Sequence, residues 1–189
     1  EAPGVLARFV HDLVEPLLGS LAGEDRTANE APTIPHHPAM KTGASDAPPQ
    51  FVRRIVVDHR ERPSGVPTAL AAHPNVDLTI HRLRLGDYRV DDTLIIERKT
   101  VTDFARSIRD DRLFNQASRL ARCRSARPCL ILEGARINHW SGALPRTAFQ
   151  GALITVTLIF GIALLRSSCP EETATLILHA VDQLCRRTV

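Results

Sequence analysis

Lysine is nearly missing from this 189-residue chain: Lys41 and Lys99 are the only two among 24 basic residues. Residues 51–189 therefore hold one lysine among 21 cations, which makes the place of Lys99 more informative than that of a typical lysine. Cysteine is sparse as well. Cys123, Cys129, Cys169 and Cys185 show no Cys-x-x-Cys spacing and the histidines are scattered, so neither a zinc motif nor a disulfide framework is indicated, and a reduced, cytoplasmic setting fits. The chain opens on Glu1 with no basic leader and no small-residue cleavage site, so no signal peptide is expected, and the missing Met reads as a fragment or a processed chain. No glycine-rich P-loop is present, which leaves ATP use unsupported. One charge-free run, residues 147–165, reaches the roughly 18-residue length of a membrane span. Thr147, Gln150, Thr155 and Thr157 make it too polar, and Gly161 divides it, so it reads as a buried helix followed by a buried strand, with no membrane partner.

What is present is unevenly distributed. Residues 1–50 carry three Lys/Arg against seven Asp/Glu, whereas 51–189 carry 21 against 14. The basic part coincides with the apolar part, as expected of a folded domain with a nucleic-acid partner. Over 1–22, Leu6, Val10, Leu13, Leu17 and Leu21 recur at helical spacing, with Pro16 inside the run. Residues 23–50 have almost no large apolar side chains and read as a disordered linker. From 51 onward the pattern alternates. Arg54–Asp58 reads as a buried strand ending in an acid, followed by a loop through Pro63 and Gly65 and a short helix over 67–72. Asp77–Leu85 reads as an imperfectly alternating strand. Helices are expected over 100–108, 112–124, 145–158 and from Pro170 to near Arg186 and Arg187, with strands at 128–133 and 161–165. The fold class is α/β: a mixed sheet flanked by helices, behind a partly disordered N-terminal tail.

The chemistry concentrates between Gly86 and Asp103. Two apolar stretches around Asp91-Asp92-Thr93 predict a hairpin, and residues opposite each other on its strands share a face. A three-residue loop pairs Val90 with Leu94 and brings Asp87 to Glu97; a two-residue loop puts those carboxylates on opposite faces. Glu97 and Lys99 share a face either way and Arg98 points away. An odd or bulged loop therefore clusters Asp87, Glu97 and Lys99, a set suited to phosphodiester hydrolysis: the acids as ligands for Mg²⁺ or Mn²⁺, the lysine to orient a nucleophile or offset charge. Thr100-Val-Thr-Asp103 reads as a capping-box-like helix start. Asp58, Arg60 and Glu61 add charge at a strand end, and Arg112 and Gln116 share a helix face that can meet phosphate.

Taken in order, Val57-Asp58-His59-Arg60-Glu61, Gly86-Asp87-Tyr88, Glu97-Arg98-Lys99 with Asp103, Ser107-Ile108, Arg112-Leu113 and Gln116 resemble the nuclease-domain signature of the XPF family of structure-specific DNA endonucleases. The resemblance covers about residues 52–187. It implies a restriction-endonuclease-like fold and metal-dependent cutting of branched or flapped DNA in repair or recombination. It also implies dimerisation through this domain, and nucleoid or nuclear localisation according to the organism. By motif match, Asp87 and Glu97 are implied metal ligands and Lys99 catalytic, with Asp58, Glu61, Arg98 and Asp103 around them and Arg60, Arg112 and Gln116 toward DNA. Asp111 departs from the family's usual Gly there; Asp tolerates the left-handed turn that Gly would serve. The alternative is a non-catalytic DNA-binding or dimer-partner module of the same fold.

Overall fold

Short β-branched and leucine-rich runs build a six-stranded sheet. The structure, a computed structural model, describes residues 52–134 and 144–186; the helix expected over 1–22 and the linker over 23–50 lie outside them. The strands are β1 (Arg53–Asp58), β2 (Val76–His81), β3 (Tyr88–Val90), β4 (Leu94–Thr100), β5 (Arg127–Glu133) and β6 (Ala163–Ser167). The helices are α1 (Val66–Ala71), α2 (Val101–Arg109), α3 (Arg112–Ala121), α4 (Arg146–Ile154) and α5 (Pro170–Arg186). The spatial order is β2-β1-β3-β4-β5-β6, antiparallel only where β3 meets β1 and β4. The mixed sheet flanked by helices is the expected architecture.

Strand alternation splits the core into two layers. Ile55, Val57, Tyr88, Val90, Leu94, Ile96, Cys129 and Ile131 pack with Val66 and Leu70 of α1 and Ala174, Ile177 and Val181 of α5. The odd-numbered positions of β4 look the other way, toward α2–α4, where Phe104 and Phe149 stack with ring centroids 4.9 Å apart. Fully burying a large apolar side chain stabilises by about 1.5–3 kcal/mol, so both layers contribute to holding the sheet between its helices.

Several boundaries differ from the sequence expectation, each for a local reason. The 59–65 loop is a 3-10 turn, His59–Ser64, begun by Asp58, whose side chain accepts the Arg60 N–H, and ended by Gly65 at φ 82°. β2 stops at His81, short of the expected Leu85, because the Leu83 and Arg84 backbones are bonded elsewhere. α3 ends at Ala121, with Arg122 as its cap, rather than at 124. α4 begins after Pro145 and widens over Thr155–Ile159 into a π turn, where the Thr155 and Thr157 hydroxyls donate to the carbonyls four residues back. That extension pushes β6 two residues beyond the expected start. Of the charge-free run, Ala152, Val156 and Ile162 are core, while Ile154 is 54% exposed and Leu158 79%. Among the described residues no helix is long and apolar enough to cross a membrane.

Candidate active site

Asp91 and Asp92 both take left-handed conformations, φ 47° and 54°, and the Thr93 N–H closes the turn onto Val90 O at 2.9 Å. Asp tolerates this region better than most residues. Thr93 is then one residue too many for a two-residue hairpin, and the ladder pairs Val90 with Leu94 and Tyr88 with Ile96. The loop is thus a tight turn with one inserted residue, and it keeps the odd register. The ladder ends at Tyr88 and Ile96; just beyond it the Asp87 N–H donates to Ile96 O, out of the regular register, and Asp87 comes within reach of the Glu97 charge. Asp91 also ties the loop to β1, accepting from the Arg53 guanidinium at 3.0 Å and the Arg54 N–H at 2.9 Å.

Gly86 admits the chain to Asp87. Its φ is +70°, and a Cβ there would stand 2.8 Å from Ile95 Cγ1 and 3.0 Å from Ile96 O, so no side chain fits. Asp87 is pinned by three bonds: its N–H to Ile96 O at 2.7 Å, its carbonyl to the Asp58 N–H at 2.8 Å, and its Oδ2 to the Arg98 N–H at 2.9 Å. Burial, then the negative charge of Glu97, push its carboxyl up to about 7 against the opposing pull of the Arg98 N–H. Lys99 Nζ lies 3.1 Å from Glu97 Oε1 and donates to Gln116 Oε1 of α3 at 2.8 Å, with only 11% of its side chain exposed. Asp87, Glu97, Lys99 and Gln116 therefore form one constellation.

Asp58, at the end of β1, is fully buried. Burial alone would raise its carboxyl, but the Arg60 side chain at 2.7 Å, the Arg60 N–H at 3.0 Å and the Leu83 N–H at 2.8 Å outweigh that and hold it down at about 2. It is an organiser of the strand end. Arg60 remains exposed on its outer side and feels the charges of Asp87 and Glu97 as well as Asp58.

Behind β4, on the opposite face, Arg98 anchors a second network. Its guanidinium donates through Nε to Glu133 Oε2 at 2.9 Å, through Nη2 to Glu133 Oε1, and through Nη1 to Glu61 Oε2 at 3.5 Å. The Tyr88 hydroxyl donates to Glu61 at 2.7 Å; Thr173 donates to Glu133 at 2.5 Å and meets Ser167 Oγ at 2.7 Å. Desolvation would lower the Arg98 pKa, but the Glu133 hydrogen bond together with the charges of Glu61 and Glu133 more than compensates. Tyr88 entered the sequence reading only as part of the Gly86-Asp87-Tyr88 motif, and Glu133 and Thr173 were given no role, although Glu133 closes a buried strand with an acid just as Asp58 does.

Two other residues stand apart from the constellation. Asp103 is half exposed and serves the α2 start: its N–H donates to Thr100 Oγ1 at 3.0 Å, and it accepts from that hydroxyl at 2.7 Å. Arg112 lies against Asp110 at 3.0 Å on the exposed start of α3. Asp111, the departure noted above, takes the left-handed conformation at φ 54°.

Residues 57–180 match the family model described as the ERCC4 domain. The chain belongs to the ERCC4 domain family. Its ERCC4 domain is similar to the 3'-flap repair endonuclease Xpf of Saccharolobus solfataricus, 32% identical over 128 residues, covering 67% of this chain and 54% of that protein. It is also similar to the DNA repair endonuclease XPF of Mus musculus, 34% identical over 132 residues, or 65% of this chain and 14% of that protein. Among solved structures, XPF from Aeropyrum pernix in complex with DNA superposes with a TM-score of 0.60 at 36% identity, covering 71% of this chain and 66% of that one. The chain thus spans about half, or far less, of these two relatives. The XPF-family resemblance and the nuclease fold of the ERCC4 domain are both borne out.

The donor set of the domain also bears on metal. Among the described residues no three His, Cys, Asp or Glu side chains converge as a cation cage. Asp87 and Glu97 instead offer two carboxylates as hard oxygen donors, and desolvation and the Glu97 charge make Asp87 costly to ionise without a cation. Mg²⁺ is commonly held by one or two carboxylates, with water and phosphate oxygens completing its shell, so the pair fits it.

Proposed function

We propose that this ERCC4 domain is a Mg²⁺- or Mn²⁺-dependent endonuclease that hydrolyses phosphodiester bonds in branched or flapped DNA during repair or recombination. The observation that carries this reading is the clustering of Asp87, Glu97 and the domain's sole lysine, Lys99: the charges of both neighbours act on Asp87, and Lys99 Nζ lies 3.1 Å from Glu97. Asp87 and Glu97 would hold the cation, which when bound acidifies a water molecule and offsets charge on the phosphate. Asp87 is held in place by the Arg98 N–H before any ligand arrives. Lys99 is fixed by Gln116 and Glu97 close to where the phosphate would sit, a position from which it orients a nucleophile and stabilises developing negative charge. A non-catalytic module would need no partly buried carboxylate pair beside a restrained lysine.

The experiment is metal-dependent cleavage of labelled flap, fork and linear DNA. Wild type is expected to nick the branched substrates with Mg²⁺ or Mn²⁺ and to stop with EDTA. Asp87→Ala and Lys99→Ala are each expected to lower the rate by at least about a hundredfold, in the range of lost charge-stabilising groups. DNA binding without turnover under either metal would favour the scaffold alternative. The exposed pair Ile154 and Leu158, four residues apart, supports docking of a second ERCC4-type domain, as a homodimer or heterodimer.

A further inference from the structure

Beside the carboxylate pair lies a groove of about 840 Å³, bounded by the start of the 3-10 turn, the 82–86 loop and α3, and reaching Glu97 and Gln116. Its charged lining is lopsided. Arg60, Arg82, Arg84 and Arg119 stand in it, all exposed, against one carboxylate, Glu97, which is already paired with Lys99. Among the described residues neither Arg82 nor Arg84 meets a carboxylate.

This wall is built rather than incidental. The loop that carries Arg82 and Arg84 is tied down at two successive residues: the Leu83 N–H to buried Asp58 at 2.8 Å, and the Arg84 carbonyl to Arg119 Nη2 at 2.9 Å. Asp58 also accepts from the Arg60 side chain at 2.7 Å, so a single carboxylate holds both the loop and its neighbouring cation. Gly86, which no side chain can replace without displacing Ile95, returns the chain from the loop to Asp87. An exposed run with unpaired like charges would ordinarily spread into solvent; here its backbone is fixed and its cations flank the groove. Guanidinium groups are planar, permanently charged and suited to bidentate contact with phosphate oxygens.

We propose that this groove seats the phosphodiester backbone of the DNA strand flanking the scissile phosphate, with Arg60, Arg82, Arg84 and Arg119 as its phosphate contacts. The inference rests on the nuclease reading for the word scissile, and names the part of the substrate that this face takes. Contacts of this kind position a strand without reading its bases, and each phosphate neutralised steepens the dependence of affinity on salt.

The test uses the full 189-residue chain and a fluorescein-labelled forked DNA in EDTA, where no cleavage occurs, with anisotropy titrations between roughly 50 and 200 mM salt. Arg82→Ala/Arg84→Ala is expected to weaken binding and to flatten the log–log salt slope by about two, and Arg119→Ala by about one. Arg82→Lys/Arg84→Lys, which keeps the charges, should retain most of the slope, whereas Arg127→Ala, at the opposite end of the sheet, should leave binding unaltered. Circular dichroism confirms that each variant folds. Wild-type affinity and slope in the double alanine variant, an equal loss in Arg127→Ala, or no binding by wild type would each overturn the groove. Parallel cleavage assays of wild type with Mg²⁺ separate the two readings. Loss of binding in the double variant without any wild-type turnover removes the nuclease reading and leaves the groove; turnover with undiminished binding does the reverse.

Discussion

The backbone N–H of Arg98 holds Asp87 Oδ2 at 2.9 Å across eleven residues of sequence, while the Arg98 side chain reaches through to the opposite face of the sheet and clasps Glu133. One residue thus joins the carboxylate pair to the buried network behind it. Strain or looseness at Glu133 would therefore be felt at Asp87 through β4.

The partly buried Asp87 gives the metal-free protein a pH signature. Its carboxyl, raised to about 7 by burial and by Glu97, is protonated in the folded state at pH 5 and ionised at pH 8, whereas in the unfolded chain it is ionised in most molecules at both. Its favourable contribution is present at low pH and is lost as pH rises through about 7. In EDTA, Asp87→Asn should therefore melt on the order of 5 °C above wild type at pH 8 and close to it at pH 5, by differential scanning calorimetry. Adding Mg²⁺ at pH 8 should raise the wild-type midpoint and leave that of Asp87→Asn nearly still, because only a ligand bound to the folded state stabilises it. Equal midpoints in EDTA at both pH values would refute the assigned ionisation.

Asp58 behaves in the opposite sense. Held at about 2 by three hydrogen bonds, it stabilises the fold above about pH 4, and this contribution fades as pH falls toward 2. Asp58→Ala leaves the Leu83 and Arg60 backbone N–H groups without their acceptor, while the exposed Arg60 side chain can turn to water, so the expected loss at pH 7 is about 1–3 kcal/mol. Urea unfolding at pH 7 and pH 3 should show the gap from wild type shrinking at the lower pH.

Glu133 faces a harsher substitution. Its partner Arg98 is only 10% exposed, and Glu133→Ala would leave that guanidinium buried with Glu61 as a distant, shared counter-ion. Loss of about 3–5 kcal/mol is expected for Glu133→Ala, and less for Glu133→Gln, which keeps an acceptor. A change below about 1 kcal/mol in chemical denaturation for the alanine variant would show that the network does not hold the sheet end.

For the docking face, Leu158→Glu removes the most exposed large apolar side chain among the described residues without touching the core residues Ala152 and Val156. If a second copy docks there, light scattering should show dimers for wild type and monomers for the variant, with thermal stability of the monomer unchanged to within about 0.5 kcal/mol. Identical masses for both proteins would leave that face without a homodimeric role.

Which parts of this arrangement the sequence disclosed follows from how local each determinant is. The odd register of the hairpin, Val90 against Leu94, depends on a loop of three residues, and the Thr100 cap and the left-handed Asp111 depend on one to four. These were readable. The clasp between Arg98 and Glu133 spans 35 residues and two strands, and nothing in either neighbourhood names the other. The same distance explains the Arg82–Arg84 wall, since its loop is shaped by Asp58 and Arg119 rather than by its own alternation, which wrongly extended β2 through Leu85. Boundaries at α3, α4 and β6 moved where a cap or a π turn, both decided by tertiary packing, replaced regular helix.

The extra residue in the 91–93 turn has a consequence for how this protein can change over generations. Surface turns usually absorb insertions and deletions freely. Here, losing one residue would slide β4 by one place against β3 and exchange the two faces of that strand, bringing Arg98 forward and sending Glu97 and Lys99 into the apolar layer. Substitutions on that exposed tip can accumulate, but its length is constrained, and a single codon's deletion there would scatter the Asp87, Glu97 and Lys99 cluster although those residues themselves remain untouched.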